Sequence, residues 1–348
     1  MGDAEMEPKR IQSGVEFARA KESVLDAAGS VFEDPRVRSL GVGRYGTGFG
    51  FRVVRNSAQI VPLAARPTLS KINGIPLSYV DTPHEVEAHV KVPHTGPGSP
   101  GSSSLIQEQN DQRPLCAGLQ IQNFDDDTRS GVIPKGYIIV GTLGCFVKRT
   151  SGSTAILSNN HVVAGENRGV AGDRILQSGN STFDNKQLVA KLTDFVKLQI
   201  SPNGATIIAG NVSFNDVDAG IAELETGLKF SKYYLPSRSL TSPTGAATPS
   251  VGDKVFKVGR TTGLTYGEIV DTATVVGPIG YTPGPCWFRN SMTIEGDNGT
   301  MFSDHGDSGS AIVRADGKVL GILYAGNGVQ TYACPIDTVL SELKCTLY

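Results

Sequence analysis

Long apolar runs, a dominant charge sign and clustered cysteines are all missing from this 348-residue chain, and each absence removes a class of function. No uninterrupted apolar stretch approaches the ~18 residues of a membrane-spanning helix, so no membrane span is expected. Lys and Arg number 32 against 34 Asp and Glu, and a net charge of −2 gives no electrostatic case for nucleic acid or an anionic lipid surface. The five cysteines (Cys116, Cys145, Cys286, Cys334 and Cys345) are odd in number, scattered and without CxxC spacing. That pattern argues against a zinc site and points to buried, reduced thiols. Met1 to Arg10 is polar and acidic with no apolar stretch behind it, unlike a secretory leader, so a cytoplasmic location is the expectation. His84, His89 and His94 recur every five residues, which suits neither a helix face nor a strand face, and they read as incidental.

What the chain has in quantity is glycine (42), proline (19) and short runs of Val, Ile and Thr, the texture of many short strands and tight turns. The best helical pattern is Lys9 to Phe32, where Val15, Phe17, Ala18, Val24, Leu25 and Ala28 recur near a 3.6 period. Val37–Gly43 and Phe51–Val54, either side of a Gly-rich turn, predict a hairpin. Segments 72–80 and 86–92 offer further strands. Residues 1–93 therefore read as a small α/β module with no cluster of catalytic residue types. Residues 94–113, with Gly-Pro-Gly-Ser-Pro-Gly-Ser-Ser-Ser at 96–104, read as a flexible linker. Residues 114–348 then turn to short strands, at 137–141, 144–148, 155–163, 188–192, 205–208 and 255–259.

Three motifs in that last part carry chemistry. Gly306-Asp307-Ser308-Gly309 packs a hydroxyl nucleophile into a tight turn, where the amides of Gly306 and Ser308 can converge on a developing oxyanion. Ser158-Asn159-Asn160-His161-Val162-Val163 predicts a histidine at a strand end, reaching a cleft. Asn215-Asp216-Val217-Asp218-Ala219-Gly220 brings a carboxylate into an apolar strand, where an imidazole N–H would offset its burial. Asp216 and Asp218 share one side of an extended segment, and Asp218 lies nearer the apolar run.

The order His161, Asp218, Ser308, with separations of 218 − 161 = 57 and 308 − 218 = 90, resembles that of the trypsin-like (chymotrypsin-fold) serine peptidases of bacterial type. Leu157–Val163 is similar to the histidine strand of bacterial trypsin-like and HtrA-type proteases, and Val217–Ala222 to their aspartate strand. Gly259-Arg260-Thr261-Thr262-Gly263 resembles a hairpin of streptogrisin-like members, and 311–326 the hairpin lining their substrate cleft. The last segment, with Ile336, Val339, Leu340 and Leu343, resembles the family's C-terminal helix. A small α/β module before such a core is also similar to bacterial trypsin-like proteins related to a plant leaf-width regulator.

The resemblance spans about 114–348. It implies a mainly β fold, two antiparallel β-barrels of chymotrypsin type, preceded here by the small N-terminal α/β domain. It implies a serine endopeptidase with His161, Asp218 and Ser308 as triad, Gly306 and Ser308 as oxyanion hole, a protein or peptide substrate and no cofactor. A catalytically silent protein-binding scaffold and an esterase on the same triad are the alternatives, and a protein partner for residues 1–93 is open. The sequence also departs from the family. Val162 stands where a cysteine often follows the histidine, and no cysteines flank Ser308. Ile138-Ile139-Val140-Gly141 is similar to an activated trypsin N-terminus but lies only 161 − 139 = 22 residues before His161, so it reads as a strand. Asp307 is left without a named partner. Phe302, Ser303 and Asp304 match no specificity pattern, and the small Ala325 and Gly326 leave room beside the cleft.

Overall fold

The computed structural model describes residues 6–45, 48–59, 69–88, 91–93, 107–129, 137–179, 183–201, 212–240 and 242–348. Within them the chain is mainly β and is built on two antiparallel barrels. In the first, Gln120–Asn123 pairs with Arg174–Leu176, and the ladder continues through Leu188–Phe195 and Gly220–Leu224 to Thr154–Ser158. Thr154–Ser158 pairs with Cys145–Arg149, and Gly141–Thr142 just upstream pairs back on Gln120–Asn123, closing the ring. In the second, the order is Lys254–Gly259, Gly263–Tyr281, Gly284–Gly296, Gln330–Pro335, Lys318–Gly326 and Ala311–Arg314. Ala311–Arg314 pairs with Lys254–Gly259 and closes that ring too. One apolar cluster runs through both barrels, joining Ile156, Leu157 and Ile221 of the first to Phe256, Val319 and Ile322 of the second. The helix Ile336–Glu342 follows, as the spacing of Ile336 and Val339 predicts.

The N-terminal residues extend the second barrel's sheet. Val37–Tyr45 and Gly48–Asn56 form the expected hairpin, and Val37–Tyr45 also pairs with Gly263–Tyr281 at Ser39–Val276 and Leu40–Val275. Ile75–Thr82 adds in parallel to Gly48–Asn56. The helix Met6–Val31 lies over this surface, burying Ala20, Val24, Ala27, Ala28 and Val31 against Leu40, Val42, Phe51, Val275 and Trp287. Those positions keep the helical period, and Val24 and Ala28 of the sequence pattern lie on this face with Phe17 packed against it, but two others do not. Ala18 and Leu25 face solvent, Leu25 with 42% of its surface exposed. Two of the inward positions are Ala20 and Ala27, which the sequence pattern does not include.

The Gly96–Ser104 stretch, the 205–208 strand, His89 and His94 lie outside the described residues. Residues 107–113 of the same predicted linker touch the barrels. Buried Glu108 accepts from Arg238 at 2.6 and 2.7 Å, and the Gln109 amide donates to the Arg260 carbonyl at 2.7 Å. All five cysteines are free and buried, and burial pushes the Cys145 thiol up to about 12. Among the described residues no helix is long and apolar enough to cross a membrane.

One buried carboxyl ties the N-terminal strands to pH. Asp271 sits beneath Val37–Tyr45, accepting from the Ala273 amide at 2.7 Å, and burial pushes it up to about 7 against the opposing Ala273, Thr274 and Val42 donors. A carboxyl raised in the folded state favours folding below its ordinary pKa, and that contribution is lost as pH rises through 7. The stability measured by urea unfolding should therefore fall between about pH 4 and 7 and level off above that, on the order of 4 kcal/mol for this group over its whole range. Asp271→Asn should flatten the profile, and an unchanged slope in the variant would assign the dependence elsewhere.

Candidate active site

His161, Asp218 and Ser308 come from three separate elements; His161 and Asp218 are in contact, and the Ser308 turn is bonded through its carbonyl to Thr142 of the first barrel. The strand Thr154–Ser158 ends one residue before Asn159, and His161 stands on the single helical turn Asn160–Val163 rather than at a strand end. The asparagines account for the difference. The Asn159 amide donates to the Asp218 carbonyl at 2.6 Å and that of Asn160 to the Val196 carbonyl at 2.7 Å, so both side chains replace ladder contacts with cross-links. The turn is thereby fastened to the segment carrying Asp218, just ahead of Gly220–Leu224.

His161 Nδ1 lies 2.5 Å from Asp218 Oδ2, and the His161 amide donates to Oδ1 at 3.2 Å. Tyr281, near the tip of the long second-barrel hairpin, donates its hydroxyl to Oδ2 at 2.9 Å. Its ring stands edge-on to the imidazole, centroids 5.9 Å apart. A fully buried carboxylate is costly without donors, and Asp218 has three. Burial, then the Asp218 charge, pushes the Tyr281 hydroxyl well above its ordinary range, so it remains a donor. With Asp218 accepting, Nδ1 carries the imidazole proton and Nε2 is the basic nitrogen. Asp216, the other carboxylate of the pair, instead binds Arg289 at 2.9 and 3.0 Å at the surface.

Ser308 lies in the turn between Gly306 (φ +97°) and Gly309 (φ +93°). A Cβ at Gly306 would sit 2.5 Å from Arg260 Cδ, and one at Gly309 would sit 2.1 Å from Ser158 Oγ, so both positions demand glycine twice over, by φ and by space. The Ser308 carbonyl accepts from the Thr142 amide at 2.8 Å, which fastens the nucleophile turn to the first barrel beside the histidine turn. The amides of Gly306 and Ser308 donate no hydrogen bond among the described residues. Ser308 Oγ donates to the Tyr324 carbonyl at 3.3 Å, and His161 Nε2 has no hydrogen-bond partner among the described residues. Both residues have zero exposed surface.

Asp307, without a partner in the sequence reading, has several. It accepts from the amides of Thr261 (2.8 Å), Thr262 (3.2 Å) and Asp304 (3.0 Å) and from the Thr262 hydroxyl (2.6 Å). Lys257 Nζ stands 3.4 Å away, also fully buried. Burial would raise the Asp307 pKa, but Lys257, Thr262 and the amides outweigh it and hold the carboxyl below its ordinary range. Burial draws Lys257 down in spite of Asp307. The Gly259–Gly263 turn is thus a clamp on the nucleophile loop, with Lys257 as its cation. The sequence signal was a lone lysine inside the apolar strand Val255-Phe256-Lys257-Val258, two residues before that motif. Tyr281 had no such signal in its Gly/Pro-rich hairpin. Lys257→Met, which strands the buried Asp307 charge, should lower stability by ~3–5 kcal/mol in urea unfolding. A loss under 1 kcal/mol would mean that the threonines and amides suffice.

The two closed antiparallel barrels define a protein of chymotrypsin-like fold, which resembles that of the bacterial serine peptidases. Residues 240–333 match the family model described as the Nal1 C-terminal domain. None of the curated proteins matches the chain by sequence. Among solved structures, Thermobifida fusca protease A and a Nocardiopsis protease are each 17% identical to it, with TM-scores of 0.41, covering 60% of this chain and 91% and 92% of their own. A glutamic-acid-specific serine protease, described as using a histidine triad in substrate binding, is 19% identical, with a TM-score of 0.43. It covers 67% of this chain and 100% of its own.

Proposed function

We propose that this chain is a serine endopeptidase working through an acyl-enzyme, with residues 1–93 as a regulatory unit and a reducing, cytoplasmic setting that suits its five free thiols. The observation that carries the reading is the buried His161–Asp218 pair, whose unpartnered Nε2 lies at the same junction as the Ser308 turn. Ser308 attacks a peptide carbonyl while His161 Nε2 takes its proton and later delivers it to the leaving amine. Asp218 keeps Nδ1 protonated and stabilises the imidazolium, with Tyr281 holding the carboxylate in place. The Gly306 and Ser308 amides receive the oxyanion, and the Lys257–Asp307 clamp fixes the turn that aims them. No step in this scheme needs a metal or an organic cofactor.

The silent-scaffold reading draws on one observation, that Ser308 Oγ is turned to Tyr324 and not to His161. Catalytic hydrogen bonds are often long before substrate binds, so this geometry does not favour it. A small fluorophosphonate, incubated to exhaustion with and without 1–2 M urea, should give one adduct that maps to Ser308. A folded protein that forms no such adduct under either condition sinks the peptidase reading and leaves the scaffold. Parallel assays on casein and on a simple ester separate peptidase from esterase.

A further inference from the structure

Two short strands of the N-terminal part do not belong to its own α/β unit. Glu87–Ala88 pairs antiparallel with the second-barrel strand Lys318–Gly326, Ala88 opposite Ala325 and Glu87 opposite Gly326. On its other side Glu87 faces Gly280, next to the Tyr281 that holds Asp218. Three residues on, Lys91–Pro93 pairs antiparallel with Tyr137–Ile139, which leads into the first barrel. These two edges flank the nucleophile. Ala325 follows Tyr324, whose carbonyl accepts the Ser308 hydroxyl. Ile139 lies three residues before Thr142, whose amide binds the Ser308 carbonyl. Ala88 and Lys91 are three residues apart, a reach of at most ~11 Å, so the two paired edges lie close together.

An extended peptide docks on a protein most simply by adding a strand to an exposed edge, and a peptidase must present such edges on both sides of its nucleophile. Here both edges are already taken by one continuous piece of the same chain. Val86 anchors it, being buried in the apolar cluster common to both barrels. Glu87 adds a contact to His305, Oε2 to Nε2 at 3.3 Å, two residues before Asp307. His161 and Ser308 both have zero exposed surface.

We propose that Val86–Ala88 and Lys91–Pro93 occupy the two strand edges along which a substrate peptide would lie, so that the chain as folded blocks its own Ser308. This rests on the peptidase reading. It adds that the resting protein is closed and that activation consists of withdrawing the segment, by a partner of the N-terminal unit or by a competing peptide. The bound state is an intramolecular strand addition, so a free peptide competes only when the segment is loosened.

The test uses the full chain. Glu87→Pro removes one backbone donor from the added strand at a position whose side chain is more than half exposed, so the fold should survive. Fluorophosphonate labelling of Ser308 should become at least tenfold faster than in the wild type. On a Ser308→Ala background, a fluorescein-labelled peptide with the sequence of residues 83–95 should bind the Glu87→Pro protein and leave the Glu87-containing protein unbound. Equal labelling rates with no peptide binding by the variant overturn the proposal. If Ser308 labels in neither protein, the peptidase reading fails, and peptide binding alone still decides whether the groove was occupied. Should Glu87→Pro not fold, Val86→Asp gives the same two readouts from the anchor.

Discussion

Ser308→Ala, made in the groove-opened Glu87→Pro protein, should lower peptide hydrolysis by ~10⁶-fold, because nucleophile loss removes the acyl-enzyme route altogether. The same change should leave the fold alone. Among the described residues the hydroxyl makes one hydrogen bond, the 3.3 Å contact to the Tyr324 carbonyl, inside a turn fixed by Gly306, Gly309 and the Asp307 clamp. Losing that bond costs about 1 kcal/mol, a shift of ~2–4 °C in melting temperature for a chain of this size at most. Activity and stability are therefore decoupled at this position. Peptide hydrolysis and thermal unfolding measured on the same preparation check both halves. A variant that keeps more than a hundredth of the activity would show that another residue attacks the carbonyl.

The residues that perform the proposed chemistry were legible because their local sequence is itself the constraint. Gly306 and Gly309 are glycine for reasons of φ and space at their own positions, and the asparagines before His161 act within a few residues of it. Asp218 could be singled out over Asp216 because the apolar run beside it predicts burial, and the structure places Asp216 on surface Arg289. What stayed hidden depends on contacts across long separations. Lys257 reaches Asp307 over fifty residues, and Tyr281 reaches Asp218 over sixty-three. Neither pairing has a local signature, although a lysine in an apolar strand is a flag. The pairing of Glu87–Ala88 with Lys318–Gly326 is hidden more deeply, since a short extended run reads the same whether it pairs within its own unit or on another sheet. The helix face is legible only in part, through Val24 and Ala28. Its contact with the sheet runs along small residues, Ala20 and Ala27, while the bulkier Leu25 stays in solvent.

Asp218→Asn should cost ~10⁴-fold in turnover near neutral pH, again in the groove-opened protein. The amide can donate to Nδ1 where the carboxylate only accepts. Its donation places the imidazole proton on Nε2, the nitrogen that must receive the proton of Ser308. The stabilising charge beside the imidazolium is lost as well. The packing is nearly unchanged, since Asn fills the same volume and keeps one oxygen to accept from the His161 amide, now at 3.2 Å, or from the Tyr281 hydroxyl, now at 2.9 Å. Two companion variants separate this account from general damage to the site. Asp216→Asn alters only the surface contacts to Arg289 and Asn290 and should leave turnover within about twofold, as surface ion pairs contribute little. Tyr281→Phe removes one of the three donors to Asp218 while leaving its charge and the Nδ1 contact, so its loss should lie between the two, on the order of tenfold. The ranking is read from turnover against pH. If Asp216→Asn proves the more damaging carboxylate variant, the buried His161–Asp218 pair is structural and the basic nitrogen is oriented by something else.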